Sequence, residues 1–149
     1  MAHLEKYKAT SVGHMLAHYR RDPSSLGREN IDPARVGMDY TLALDPSLTL
    51  SYHSQGRVIY WRFLDYEPAN SRAIAELFAS VSGYAVEETP YASGFAGYKD
   101  WFIQAFRRPG FTIEAGTGTN PLPLSQFDTI YQDNLGILTT AALGLPGGA

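Results

Sequence analysis

The chain has 149 residues, of which 44% are hydrophobic and 18% charged, and it contains no cysteine. A charged share below the usual ~25% excludes a disordered chain, which needs low hydrophobicity and high charge. Twelve basic residues against fifteen acidic ones give a net charge of −3, so there is no global basic field to hold nucleic acid, and the missing thiols remove disulfides, thiolate zinc sites and cysteine nucleophiles.

The opening stretch MAHLEKYKAT lacks the apolar core of a signal peptide, and no apolar run reaches membrane-spanning length. The expectation is a globular cytoplasmic product with no membrane contact. Ser11 to Arg21 reads as a short helix closed by Asp22-Pro23. Residues 1–44 carry six basic and five acidic side chains and three of the four histidines, whereas residues 45–149 carry six basic and ten acidic ones. This shift falls at Leu44-Asp45-Pro46-Ser47, a turn-forming cluster that divides the chain into two segments.

Beyond that break, Leu48–His53 and Arg57–Arg62 are short apolar and β-branched runs that predict strands. Ser71 is placed to cap a helix over Arg72–Ser82, whose apolar positions Ile74, Leu77, Phe78 and Val81 share one face. A strand at Tyr84–Glu87, a helix over Tyr98–Phe106 and a strand over Gly110–Glu114 follow. Leu124, Phe127, Ile130, Tyr131, Leu135 and Leu138 then recur at helical spacing, which predicts a closing helix. Strands interleaved with helices argue an α/β fold with a largely buried sheet. The last residues, Gly144 to Gly148, form a low-complexity tail.

Two polar residues end apolar strands. His53 closes the first strand and precedes Ser54-Gln55-Gly56, and Glu114 closes Phe111-Thr112-Ile113. A carboxylate at the carboxyl end of an apolar strand is where α/β sheets place ligand chemistry, and a solvated strand end is the alternative. For His53 the alternatives are a metal ligand and a structural histidine. Tyr91 opens a loop of small residues running to Gly97, a candidate mobile segment or a plain connection.

The stretches LTLSYHSQGRVIYW, SGYAVEETPYASGFAGYKDWFIQAFRRPGFTIEAG and NPLPLSQFDTIYQDNLGIL, in this order, resemble the carboxypeptidase A-like zinc metallopeptidases. Within them the resemblance is to the bacterial γ-D-glutamyl-L-diamino acid endopeptidases, which cut peptidoglycan stem peptides. It runs through nearly all of residues 45–149. It implies a partial zinc-carboxypeptidase-type mixed sheet with helices packed on it, preceded by a short helical or irregular segment. It also implies His53 as a Zn²⁺ ligand, Glu114 as general base and acid, and Tyr91 and Ser54 as substrate-contacting residues. Lys99, two before the tryptophan of Asp100-Trp101, falls at the family's specificity position, where a lysine would attract an acidic group such as the distal carboxylate of a diaminopimelate residue. A solvated lysine at a helix start is the alternative.

The family's His-x-x-Glu ligand pair is absent upstream of His53, since Lys6, Ala17 and Arg21 stand three residues after His3, His14 and His18. One histidine does not hold a catalytic zinc. Residues 45–149 therefore read as the carboxyl-terminal half of such a domain, with an open sheet edge and exposed apolar surface, and a complementing chain is one candidate source of the missing half. The isolated chain is expected to be weakly active or inactive.

Residues 1–44 are similar to something else. GHMLAHYRRDPSSLGRENIDPARVGMDYTL resembles the amino-terminal motif of Mob/Pre-type plasmid mobilisation relaxases. There a His-x-x-Arg context, an Asn/Asp-Ile-Asp/Asn-Pro-x-Arg stretch and a closing Asn-Tyr-x-Leu recur; here Asp39 stands where that closing motif has asparagine. By that resemblance His18 is the position of the nucleophile, and a non-catalytic fusion fragment or a relaxase fragment is the alternative identity. His14 and His18 would also share a helix face, a further possible pair of metal ligands beside His53.

Overall fold

In the computed structural model of the chain, residues 33–93 and 97–143 are described. The expected helix over Ser11–Arg21, with His14 and His18, lies outside them. The elements in chain order are α1 (Pro33–Leu44), β1 (Thr49–His53), β2 (Val58–Tyr60), α2 (Ser71–Ser82), β3 (Ala85–Glu87), α3 (Tyr98–Phe106), β4 (Gly110–Glu114) and α4 (Phe127–Ala142). Short 3₁₀ turns at Tyr91–Ser93 and Leu124–Gln126 precede α3 and α4.

The four strands make one mixed sheet in the order β1-β4-β2-β3. β1 and β4 run parallel, as do β2 and β3, and β2 opposes β4. Because successive side chains alternate across a sheet, register fixes the two faces. Ile59 pairs with Ile113, and with Phe111 they meet Ile74, Ala75 and Phe78 of α2 and Ile137 of α4 in the main core. Phe78 and Phe111 pack edge to face at 5.2 Å, an arrangement favoured by the ring quadrupoles. The opposite face is covered at its lower end by α3. Gly110 lets Phe102 and Ile103 close on the strand, since a Cβ there would lie 3.1 Å and 3.3 Å from their side chains.

Three local expectations are corrected. Ser71 is the first residue of α2 and caps nothing; Asn70 holds the N-cap position at φ 63 without a side-chain cap bond, while Ser71 is fully buried. The second strand contracts to Val58–Tyr60, because Trp61 turns into the core and Phe63 forms an isolated bridge with Tyr66 instead of continuing the sheet. The closing helix forms, but its buried side is Asn134 and Ile137, with Ile130 and Ala141 at the same spacing partly buried. Phe127, Tyr131, Leu135 and Leu138 are exposed. Asn134 is buried with its Nδ2 donating to Tyr84 Oη at 2.9 Å and to the Ile130 carbonyl at 2.8 Å, while its Oδ1 has no partner among the described residues, so only the donor half of the amide is compensated.

The composition break at Leu44–Pro46 coincides with the end of α1. Tyr40 and Leu42 of the relaxase-like closing motif lie exposed on α1, whereas Thr41 is buried. The Thr41 hydroxyl donates to the Gly37 carbonyl at 2.7 Å and meets Tyr98 Oη at 2.7 Å, so this residue ties α1 to α3.

Candidate functional site

His53 and Glu114 are the last residues of β1 and β4, and they are direct partners in the parallel register. Partners in parallel strands project from the same face, so the imidazole and the carboxylate stand side by side. They occupy the α3 face beyond the part that α3 covers. His53 is exposed and Glu114 half-buried. Burial raises the Glu114 pKa above the ordinary carboxylate range, and the charge of His53 opposes that rise.

The loops after the two strands are bonded to each other. Ala115 N–H donates to the His53 carbonyl and Gly56 N–H to the Gly116 carbonyl, both at 2.8 Å. Ser54 Oγ donates to Asn120 Oδ1 and Asn120 Nδ2 returns to the Ser54 carbonyl, both at 3.0 Å. The peptide bonds following Ser54 and Asn120 are both cis. Gly116 sits at φ 77, and a Cβ there would lie 2.5 Å from Leu122 and 2.8 Å from Ile130. Only glycine combines that backbone with that contact. These bonds fix the ends of β1 and β4 relative to one another, which is the positioning a two-residue site needs.

Tyr60 and Asn120 are site neighbours that the sequence reading missed. Tyr60 pairs with Thr112, on the same face as Glu114. Its phenol pKa is raised by burial first, then by the charges of Glu114 and Glu87. The period of two from Val58 carries that placement, but only once the β2–β4 pairing is known. For Asn120 the available signal was the Asn-Pro dipeptide, which marks a turn and no more.

Of the other expected residues, Ser54 adjoins the pair and is engaged by Asn120. Tyr91 lies on the 3₁₀ turn, 74% exposed. β3 runs opposite to β4, so the segment bearing Tyr91 leaves the sheet at the end away from Glu114. Lys99 is not a solvated lysine: its side chain is 3% exposed. Its Nζ donates to Asp100 Oδ1 at 2.5 Å and to the Arg62 carbonyl at 2.7 Å, so its charge is already answered within the fold. Burial lowers the Lys99 pKa and raises that of Asp100, with the ion pair opposing both shifts. His18 falls outside the described residues.

The described residues alone do not fit a zinc site. Among them no group of three or more His, Cys, Asp or Glu side chains converges, whereas a catalytic zinc takes three protein ligands. Among the described residues His53 supplies one donor of the kind such a site uses. Nor is any helix among the described residues long and apolar enough to cross a membrane.

The fold and site thus define a mixed α/β unit bearing an imidazole–carboxylate pair at neighbouring strand ends. No family model matches the chain. Over 106 residues it is 55% identical to γ-D-glutamyl-L-diamino acid endopeptidase 1 of Lysinibacillus sphaericus, a match covering 70% of this chain and 26% of that protein. Over 112 residues it is 40% identical to the uncharacterized protein YqgT of Bacillus subtilis strain 168, covering 74% of this chain and 30% of that one. The first match supports a relationship to the endopeptidase family. The chain spans between a quarter and a third of the length of these curated relatives.

Proposed function

We propose that this chain carries part of the active site of a peptidase that hydrolyses γ-D-glutamyl-diamino acid bonds of peptidoglycan stem peptides. The observation that carries the reading is the register pairing of His53 with Glu114, in a chain that over 106 residues is 55% identical to an endopeptidase of that name. In this reading the sheet is part of a zinc-carboxypeptidase-type sheet.

Glu114 is the general base. One carboxylate oxygen takes a proton from the water that attacks the scissile carbonyl, and then delivers it to the leaving nitrogen as the C–N bond breaks. Burial keeps its affinity for that proton above that of a solvated glutamate, which suits a group that must both accept and donate. His53 would be one ligand of a zinc ion whose other ligands lie outside the described residues. Ser54 is assigned to substrate contact beside the pair, Tyr91, which lies toward the opposite end of the sheet, to contact with a part of the substrate remote from the scissile bond, and Lys99 to the floor of the specificity pocket. There the Lys99–Asp100 pair presents a neutralised charge, together with whatever donor capacity Lys99 retains.

The test is a chimera in which this chain's matched residues replace the equivalent stretch of the Lysinibacillus sphaericus endopeptidase. Cleavage of a γ-D-glutamyl-diaminopimelate peptide by the chimera, lost in Glu114→Gln, supports the reading. A folded chimera without cleavage overturns it.

A further inference from the structure

A second carboxylate shares the sheet face of Glu114. Val58 pairs with Glu114 and Tyr60 with Thr112 across β2 and β4, and Tyr60 pairs with Glu87 across β2 and β3. Partners share a face and alternate residues return to it, so Glu114, Tyr60 and Glu87 all stand on the α3 face. Glu88, the next residue along, is held by Arg62 at 2.7 Å, and Glu76 by Arg72 at 3.0 Å. Glu87 is exposed, and among the described residues it has neither an ion pair nor a hydrogen bond. The Tyr60 hydroxyl likewise has no hydrogen-bond partner among them.

Electrostatics couples the three groups. Burial raises the Tyr60 phenol pKa most, and the charges of Glu114 and Glu87 add to it. A phenol placed between two carboxylates lies in a negative field that a cation would relieve. The ammonium of Lys99 is not available for this, since it is buried and donates to Asp100 Oδ1 at 2.5 Å and to the Arg62 carbonyl at 2.7 Å. A cation beside Tyr60 therefore has to arrive with a ligand.

Spacing selects the ligand. Glu87 lies two strands across and two residues along from Glu114, which puts about 12 Å between their Cα atoms. In lysine and in diaminopimelate alike, six bonds separate the α-nitrogen from the distal nitrogen, about 7–8 Å when extended. With a hydrogen-bond contact of about 3 Å at each end, such a residue bridges the two carboxylates. We propose that Glu87, with Tyr60 beside it, determines specificity by receiving the distal ammonium of a diamino acid whose α-nitrogen leaves the scissile bond at Glu114. The ammonium donates to the Glu87 carboxylate and to the Tyr60 oxygen. The amine is read and the distal carboxylate is not, so lysine and diaminopimelate peptides are comparable substrates. Discrimination thus passes from Lys99, whose charge Asp100 already answers, to Glu87. The inference rests on the peptidase reading in taking Glu114 as the group at the scissile bond.

Two measurements test it. In the chimera, kcat/KM is compared for γ-D-glutamyl-L-lysine, γ-D-glutamyl-diaminopimelate and γ-D-glutamyl-L-norleucine, the last keeping the carbon chain of lysine without its amine. Both amine-bearing peptides should be favoured over norleucine by about tenfold or more, the scale of a hydrogen bond to a charged group. Glu87→Gln should collapse that preference towards parity and Tyr60→Phe should diminish it. Asp128→Asn, an exposed acid at the start of α4 on the other face of the sheet, should leave it unchanged; thermal melts confirm that each variant folds. In the second measurement the isotope-labelled full chain is titrated with the lysine and norleucine peptides, and only the lysine peptide should shift the side-chain resonances of Glu87 and Tyr60. An active chimera without amine preference, or with one that survives Glu87→Gln, overturns the inference and leaves the peptidase reading standing. A chimera that cleaves none of the peptides removes the peptidase reading, and the titration then decides. Shifts with the lysine peptide alone sustain the ammonium site, whereas equal or absent shifts overturn it as well.

Discussion

His53 and Glu114 face each other across the parallel β1–β4 pair, each at the final position of its strand. Their adjacency is a property of register, so a one-residue slip would send one of them to the other face of the sheet. The bonds joining Ser54 to Asn120 and Gly56 to Gly116 oppose that slip. In the active chimera, Glu114→Gln should reduce kcat by about 10²–10⁴-fold, the range for loss of a general base, with KM nearly unchanged. His53→Ala should abolish stoichiometric zinc on metal analysis. A Glu114→Gln enzyme retaining kcat within tenfold would remove the carboxylate from the chemistry.

The buried Lys99–Asp100 pair gives a second prediction. Desolvation is the largest influence on both groups, so the pair does little for net stability while each member depends on the other. Lys99→Met should destabilise by about 3–5 kcal/mol, because Asp100 is left charged and buried. The loss should shrink at acid pH, where Asp100 takes up a proton. The double change Lys99→Met with Asp100→Leu should recover most of the loss. Urea denaturation of the three proteins checks this, and a double variant as unstable as the single one would show that the pair is itself stabilising.

The contrast between these two pairs bears on what the sequence reveals. α3 and β4 were legible to the residue, because Gly97 stands before the helix and Arg107-Arg108-Pro109 separates it from the strand. His53 and Glu114 were legible as strand ends, but their partnership was not, since it depends on β1 and β4 being sheet neighbours across the whole intervening chain. The burial of Lys99, against the solvated lysine that stood as the alternative to a pocket residue, was not legible because one of its two partners is a backbone carbonyl at Arg62, a contact with no side-chain signal. In α4 the apolar spacing was read correctly and the buried face was not. Asn134 sits in the middle of that face, and its polarity concealed it. The apolar stripe that its spacing assigns to the core faces outward.

Alkaline stability should report on Tyr52. Burial, with Tyr84 adding, pushes its phenol from the ordinary 10 up to about 12. Between those values the native state keeps a proton that the unfolded chain has released, so stability falls as pH rises through that window and is unaffected below it. Tyr52→Phe removes this component. Unfolding curves of the two proteins should run parallel up to about pH 10 and converge or cross above it, the variant declining less. Parallel curves throughout would mean that Tyr52 ionises freely in the folded protein.

Two helical glycines should respond in opposite directions to the same substitution. Gly37 of α1 has nothing within 4 Å of where a Cβ would stand. Gly37→Ala should therefore stabilise α1 by roughly 0.5–1 kcal/mol, since glycine costs a helix interior about that much backbone entropy. At Gly136 of α4 a Cβ would lie 3.0 Å from both Cβ and the carbonyl oxygen of Val81, at a close approach of α4 to α2. The same helical gain is available there, but overpacking against a backbone atom costs about 1–3 kcal/mol, so the steric cost wins. Gly136→Ala should lower the melting temperature, because α4 cannot shift away from Val81 without disturbing the fully buried Ile137 beside it. A Gly136→Ala variant that melts above the parent would show that α2 and α4 can separate freely, and with that the packing that turns the apolar side of α4 outward would lose its cause.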